Sequence, residues 1–133
     1  MKEPKWVLMQ TVIAIHQRQI AEHGGLEGIR DQALLESALK APQNLHYYGN
    51  PKPAFAEIAA CYAYSLTRNH PFRDGNKRVS LVTCELFLHL NGMFFLATQA
   101  EKYQSYYSLA DGTLTQKQFA EWLEAGLLAA TEN

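Results

Sequence analysis

The 133-residue chain lacks several features that would assign it to a specialised class. It has only two cysteines, Cys61 and Cys84, and their spacing is not that of a zinc site. Both fall in apolar helical patterns, so we expect small core residues in a reducing compartment. No apolar run approaches the roughly 20 residues that span a bilayer. The first residues also lack the apolar core of a signal peptide. We therefore expect a cytoplasmic protein that does not bind membranes.

The chain also has almost no net charge, since 12 basic residues face 13 acidic ones, for a total of −1. This balance argues against bulk electrostatic capture of nucleic acid. Positive charge is concentrated in residues 68–78, where four cations face one carboxylate, which gives +3 there and −4 elsewhere. A small anionic ligand would fit this local excess, and so would a solvated basic turn.

The length predicts a single domain covering residues 1–133. A chain of this size buries enough surface to fold without disulfides or structural metals. Its hydrophobic content of 47% excludes a disordered chain, and no internal repeat or low-complexity stretch is present.

Hydrophobic periodicity predicts an all-α fold of about six helices with no convincing sheet. We expect Pro42 to end the second helix, and residues 93–96 to form at most a short extended piece. Two helices are apolar nearly all round, which predicts a central buried pair that flanks one short polar loop. The predicted helices cover residues 6–22, 31–40, 54–69, 75–91, 98–110 and 115–127.

Three residues outside the polar loop are also candidates. His16 lies on the apolar stripe of the first helix, where a hydrogen-bonded core histidine is favoured over a catalytic one. Tyr47 and Tyr48 fall in a predicted loop over residues 43–53. They would either pack on the core or line a substrate cleft.

The polar loop between the buried helices combines several chemical groups within nine residues. Gly75 and Asn76 suit the start of a helix, whose free N–H groups bind anions such as phosphate. Cations in the first turn oppose the helix dipole, so Lys77 and Arg78 make best sense with an anion bound beside them. The loop has the sequence His70-Pro71-Phe72-Arg73-Asp74-Gly75-Asn76-Lys77-Arg78.

Two further loop residues, Asp74 and His70, complete the parts of a phosphoryl-type transfer, and a third anchors the loop. Asp74 is a hard oxygen ligand of the kind that holds Mg²⁺ together with phosphate oxygens. The His70 imidazole can accept a proton from a hydroxyl group, and Phe72 is an apolar anchor for the loop. Each residue alone also fits a helix cap or a surface turn, but their combination favours a functional site.

The loop resembles the motif of the Fic/Doc family, His-x-Phe-x-Asp/Glu-Gly/Ala-Asn-x-Arg. Chain length, helix count and the stretch Gly-Gly-Leu-Glu-Gly-Ile-Arg-Asp at residues 24–31 resemble the Doc branch. The resemblance implies that His70 is the general base and that Asp74 holds Mg²⁺. It also implies a set of nucleotide- and phosphate-binding residues, namely Arg68, Gly75, Asn76, Lys77 and Arg78.

Two departures from the AMP-transferring Fic proteins favour a kinase. Those proteins resemble one another in a glycine where this chain has Lys77, and in a second arginine where it has Leu81. Lysine adds bulk and charge at that point, so the nucleotide would present its γ-phosphate instead. The resemblance then implies a toxin that uses Mg²⁺ and ATP to phosphorylate a threonine of translation elongation factor Tu, which stops translation. Val82 stands where the Doc branch has a phosphate-holding asparagine.

Two alternatives stay open. One is a Fic-type transferase that moves AMP to protein hydroxyls, which Gly75 favours slightly because Doc has alanine there. The other is a non-catalytic binding module. The chain has no match to the self-inhibitory Fic motif Ser/Thr-x-x-x-Glu-Gly/Asn. We therefore expect a Phd-like antitoxin that acts in trans with a segment folding into a groove.

Overall fold

The computed structural model describes residues 3–129 and is predominantly helical. The predicted all-α fold with six helices is confirmed. No helix among the described residues is both long and apolar enough to span a membrane. The elements are α1 (Met9–His23), α2 (Gln32–Tyr48), α3 (Phe55–Asn69), α4 (Asn76–Leu90), β1 (Met93–Phe95), α5 (Gln99–Asp111), α6 (Gln116–Ala125) and β2 (Leu127–Ala129).

Helices α3 and α4 form the buried pair that the sequence predicts. Helix α3 packs against α2, α4 and α6, and α4 also packs against α1. Alanines at 59, 60 and 63 are fully buried and allow neighbouring helices to approach closely. Tyr62 from α3 and Phe87 from α4 pack with ring centroids 5.3 Å apart. The six residues between the two helices are therefore held at both ends by rigid core elements.

Side-chain caps begin three helices where the sequence predicts them. The Asp31 carboxylate accepts a hydrogen bond from the amide three residues later, at 3.0 Å. Thr98 and Glu101 exchange the two hydrogen bonds of a capping box, at 3.1 and 2.8 Å. Thr115 and Gln118 form a second box at 3.1 and 2.9 Å.

The predicted end of the second helix at Pro42 is wrong, because α2 continues to Tyr48. Proline removes one helical hydrogen bond, yet Pro42 is buried and the helix goes on. The turn beyond it is fixed by tertiary packing. His46 is buried, with its ring edge-on to Trp6 at 5.7 Å between centroids. Packing therefore outweighs the local cost of the proline.

The last helix also differs from the prediction, since α6 ends at Ala125 rather than at residue 127. A β-carbon at Gly126 would clash with the ring of Phe95. Because Gly126 has no β-carbon, the chain can pass close to Phe95 here, and the Gly126 carbonyl accepts a hydrogen bond from the Leu96 amide at 2.9 Å. Strand β2 then pairs antiparallel with β1. Strands of three residues are too short to show the alternation of apolar and polar residues from which a strand is predicted.

Candidate active site

The connection between α3 and α4 forms one side of a cavity of about 310 Å³, which we call the loop cavity. Helix α5 forms the opposite side. Six of the site residues that were predicted from the loop sequence lie together here. The lining residues are His70, Asp74, Gly75, Asn76, Lys77, Arg78, Leu81, Tyr103, Tyr106 and Tyr107.

His70 ends α3 in a left-handed backbone conformation, with φ 51° and ψ 53°. Among the residues that the structure describes, no other non-glycine residue has positive φ. Such a conformation costs about 1–3 kcal/mol and persists where surrounding contacts impose it, often at functional sites. The His70 amide donates to the Leu66 carbonyl at 3.2 Å, and its side chain is exposed. The imidazole is therefore accessible at the edge of the cavity.

Residues 24–31, which we call the glycine segment, pack along the back of this loop. Two amides of the segment donate to the Pro71 carbonyl, at 2.7 and 3.0 Å. The Gly28 carbonyl accepts from the Arg73 amide at 3.1 Å. An isolated antiparallel bridge joins the segment to Phe72. Backbone hydrogen bonds thus fix the loop against a second piece of chain about 40 positions away.

Two aromatic rings fix the loop from inside. Phe72 is almost fully buried, and the His16 ring stacks on it with centroids 4.0 Å apart and planes 10° apart. His16 Nε2 lies 3.0 Å from the Asp74 carbonyl oxygen. Because a carbonyl only accepts, Nε2 is the donor. The interpretation of His16 as a hydrogen-bonded core histidine is confirmed.

The Asn76 side chain belongs to the framework of the loop. It is buried, its Oδ1 accepts from the Phe72 amide at 2.9 Å, and its Nδ2 donates to the Phe72 carbonyl at 3.0 Å. Both ends of the carboxamide are therefore engaged by backbone. The backbone N–H of Asn76, in the first turn of α4, remains for an anion.

The Asp74 carboxylate is exposed and each of its oxygens accepts one backbone hydrogen bond. Oδ1 accepts from the Gly75 amide at 3.1 Å, and Oδ2 accepts from the Leu26 amide at 3.2 Å. Each oxygen keeps a lone pair for a cation. No cluster of three or more metal-ligating side chains occurs in the described part of the chain. A divalent ion here would thus depend on Asp74 together with water and ligand oxygens, which is how Mg²⁺ is commonly held.

The first turn of α4 combines free backbone N–H groups with two cations. Gly75 precedes it with φ 74°, a conformation that other residues adopt only with strain. Lys77 and Arg78 are exposed and line the cavity. Lys77 Nζ lies 4.2 Å from the centroid of the Tyr107 ring. Helix dipole and side-chain charge therefore both favour an anion at this end of the cavity.

Three tyrosines of α5 form the opposite side and were not predicted as site residues. Their positions at 103, 106 and 107 follow the i, i+3, i+4 spacing of one helix face, and this was the available signal. Tyr103 and Tyr107 are half-exposed. Tyr106 is buried, and its hydroxyl has no hydrogen-bond partner among the described residues. Burial raises the pKa of Tyr106 well above its ordinary value.

Besides the buried anchor Phe72, three predicted residues lie outside the loop cavity. Arg68 is exposed on α3 and lines a separate cavity with Asp111 and Thr115, at the turn between α5 and α6. Tyr47 and Tyr48 lie in the last turn of α2, which carries them away because the helix does not stop at Pro42. Tyr47 donates to a Glu3 carboxylate oxygen at 2.6 Å, and Tyr48 is 82% exposed. The two tyrosines therefore do not form part of this cleft.

Comparison with known proteins adds independent information. Residues 6–88 match the model of the Fic/DOC family. The chain is 40% identical over 70 residues to a protein named Toxin Doc from Mycolicibacterium smegmatis, across 53% of this chain and 54% of that protein. It is 34% identical over 84 residues to a protein named Protein kinase doc from Escherichia phage P1, across 63% and 66%. The aligned stretches thus span less than two thirds of either relative. Because the family match covers more than half of the chain, from before α1 into the last turn of α4 and with the whole polar loop, the chain belongs to the Fic/DOC family.

Proposed function

We propose that the chain is a Doc-like toxin of a toxin–antitoxin system that transfers the γ-phosphate of ATP to a protein hydroxyl. The observation that carries this proposal is the loop cavity, where an accessible imidazole, an exposed carboxylate and a cationic helix start line one space. The names of the two relatives, a toxin and a protein kinase, support the same class of activity.

In this proposal His70 accepts the proton of the target hydroxyl as that oxygen attacks the γ-phosphorus of ATP. The bond from the γ-phosphorus to the β,γ-bridging oxygen breaks, and ADP leaves. Its exposed side chain at the edge of the cavity is accessible to a residue of another protein. General-base catalysis of this kind contributes about 10²–10⁴ to a rate.

The α4 start holds the phosphates through its backbone N–H groups and through Lys77 and Arg78. The single carboxylate of Asp74, beside an anion-binding helix start, suits Mg²⁺ that is held mainly by phosphate and water. When bound, Mg²⁺ would neutralise charge that develops on the phosphates.

Two lining residues favour γ-phosphate transfer over AMP transfer. Leu81 presents an almost fully buried apolar side chain where the AMP-transferring members have a second arginine. Lys77 lines the cavity where they have glycine, and so adds bulk and charge there. Gly75 does not favour the AMP alternative, because its positive φ alone accounts for a glycine there.

The proposed target is a threonine of translation elongation factor Tu, whose modification would block translation. The proposed regulator is a Phd-like antitoxin that acts in trans. Both follow from the likeness to the Doc branch, and the absence of the self-inhibitory motif from the sequence favours an external inhibitor.

The test uses purified protein, Mg²⁺ and elongation factor Tu with ATP labelled at the γ- or the α-phosphate. We expect label on the target from γ-labelled ATP only, and none with His70→Ala. Label from α-labelled ATP would establish AMP transfer instead. No label from either nucleotide, with no binding of Mg²⁺-ATP by calorimetry, would support a binding module.

A further inference from the structure

Arg30, near the end of the glycine segment, forms hydrogen bonds with the C-terminal end of α3, next to His70. Its Nε donates to the His70 carbonyl at 2.8 Å, and its Nη2 donates to the Asn69 carbonyl at 3.0 Å. The last carbonyls of a helix have no partner within the helix, and the helix dipole favours a cation there. A guanidinium suits this place because its donors form a rigid planar fork.

The two accepting carbonyls lie on either side of the His70 α-carbon. The Asn69 carbonyl belongs to the peptide plane that precedes it, and the His70 carbonyl to the plane that follows it. The rotations of these planes about the α-carbon are φ and ψ. By holding both planes, Arg30 fixes both angles of a residue whose backbone is left-handed. Those angles set the direction of the His70 Cα–Cβ bond and restrict the χ1 rotamers that carry the imidazole.

Further hydrogen bonds hold Arg30 and the turn that it contacts. Its own amide donates to the Pro71 carbonyl at 2.7 Å, so backbone and side chain of one residue hold three consecutive carbonyls. The Asn69 side chain donates to the Leu34 carbonyl at 2.9 Å and ties the same turn to α2. Arg30 is not among the residues that line the loop cavity.

We propose that Arg30 is a positioning residue, which sets the orientation of the His70 imidazole without touching the substrates. This rests on the proposed function to the extent that His70 is taken as the base. A purely structural role for Arg30 makes a different prediction, since it would lower the folded fraction and leave the turnover of folded molecules unchanged.

The kinetic test compares Arg30→Ala and Arg30→Lys with Arg18→Ala. Arg18 is a matched control, since it is an exposed arginine in an (i, i+4) pair with Glu22 on α1. For Arg30→Ala we expect kcat per folded molecule to fall about tenfold to a hundredfold, with KM for ATP within about twofold. Arg30→Lys keeps a cation but loses the planar fork of donors, so its kcat should lie between those of the wild type and Arg30→Ala. An unchanged kcat, or a rise in KM alone, would overturn the proposal.

A double-mutant cycle tests whether Arg30 acts through His70. In a His70→Ala background, followed by single-turnover kinetics at high enzyme concentration, Arg30→Ala should change the rate by less than about twofold. The same loss in both backgrounds would show that Arg30 acts independently of His70 and would contradict the proposal.

A spectroscopic readout separates this inference from the proposed function. The ¹H–¹³C signal of the His70 Cε1–H group, assigned by its loss in His70→Ala, should shift in Arg30→Ala and stay in place in Arg18→Ala. An unshifted signal would contradict the positioning role whatever the enzyme does. A wild type that transfers no phosphate while this signal shifts would contradict the proposed function alone.

Discussion

The two sides of the loop cavity are built in opposite ways. The loop side, residues 69–78, is fixed by backbone hydrogen bonds from the glycine segment, by the Asn76 carboxamide and by the His16 imidazole. The tyrosine side, on α5, presents two half-exposed rings to the cavity, and one cation–π contact from Lys77 reaches across to it.

Helix α5 is anchored by side-chain contacts to α4 and α6. Tyr106 packs edge-on against Phe119 with centroids 4.9 Å apart, and Lys102 pairs with Glu85 of α4 at 2.8 Å. A wall fixed by backbone hydrogen bonds suits groups that must hold a reacting geometry, and a wall of exposed aromatic rings suits contact with a ligand. Changes on the loop side should therefore alter the transfer rate or its Mg²⁺ requirement, and changes on the tyrosine side should alter the affinity for ATP.

Removal of His70 should have the largest effect. His70→Ala is expected to lower the transfer rate by about 10²–10⁴ because the hydroxyl then lacks a base, with ATP affinity nearly unchanged. Single-turnover kinetics and calorimetry on the same sample check both parts. A rate loss of less than tenfold would remove His70 from the role of base.

Gly25→Ala should have the next largest effect on the loop side. A β-carbon at Gly25 would lie 2.8 Å from Asp74 Oδ2, in a backbone with φ 119°. The carboxylate must then move, so the Mg²⁺ concentration for half-maximal transfer should rise about tenfold. Gly24→Ala is the matched control, since φ is also positive and nothing lies within 4 Å of its β-carbon. Equal effects of the two variants would assign the effect to backbone strain and contradict the link between the Asp74 position and the Mg²⁺ requirement.

Alkaline pH should weaken the packing behind the tyrosine side. Burial raises the pKa of Cys84, on α4 beside Tyr106, from 9.0 to about 12. The unfolded chain releases this proton first, so stability is fully present below pH 9 and is lost between pH 9 and 12. Urea unfolding should show a loss of about 1 kcal/mol between pH 8 and 10. Cys84→Ala should reduce that slope, and an unchanged slope would contradict this assignment.

Loss of the Tyr107 ring should have the smallest effect. Tyr107→Leu removes the ring that holds the Lys77 ammonium beside the cavity, a contact of about 0.5–1 kcal/mol at exposed sites. Lys77 must then be ordered when the phosphates bind, so ATP should bind about two- to fivefold more weakly. The value of kcat should stay within about twofold. Tyr107→Phe keeps the ring and serves as the control in calorimetry. A loss of kcat without weaker ATP binding would contradict the assignment of ATP affinity to the tyrosine side.

The loop side was predictable because its chemistry is contiguous in sequence. A helix start after a glycine brings Asp74, Gly75 and Lys77 together with no long-range information. The tyrosines of α5 and Arg30 reach the same place only through packing of segments about 25 to 40 positions away, which no local pattern encodes. Pro42 shows the same limit of local patterns. Proline favours the end of a helix, but contacts of the following turn keep α2 helical to Tyr48.

The most direct test of the central claim is the mass of any group that the protein adds to its proposed target. Elongation factor Tu, incubated with the protein, Mg²⁺ and ATP, is digested and sequenced by tandem mass spectrometry. Our account predicts one phosphoryl group on a threonine, absent when His70→Ala replaces the wild type. An adenylyl group, or a phosphoryl group that persists with His70→Ala, would contradict it.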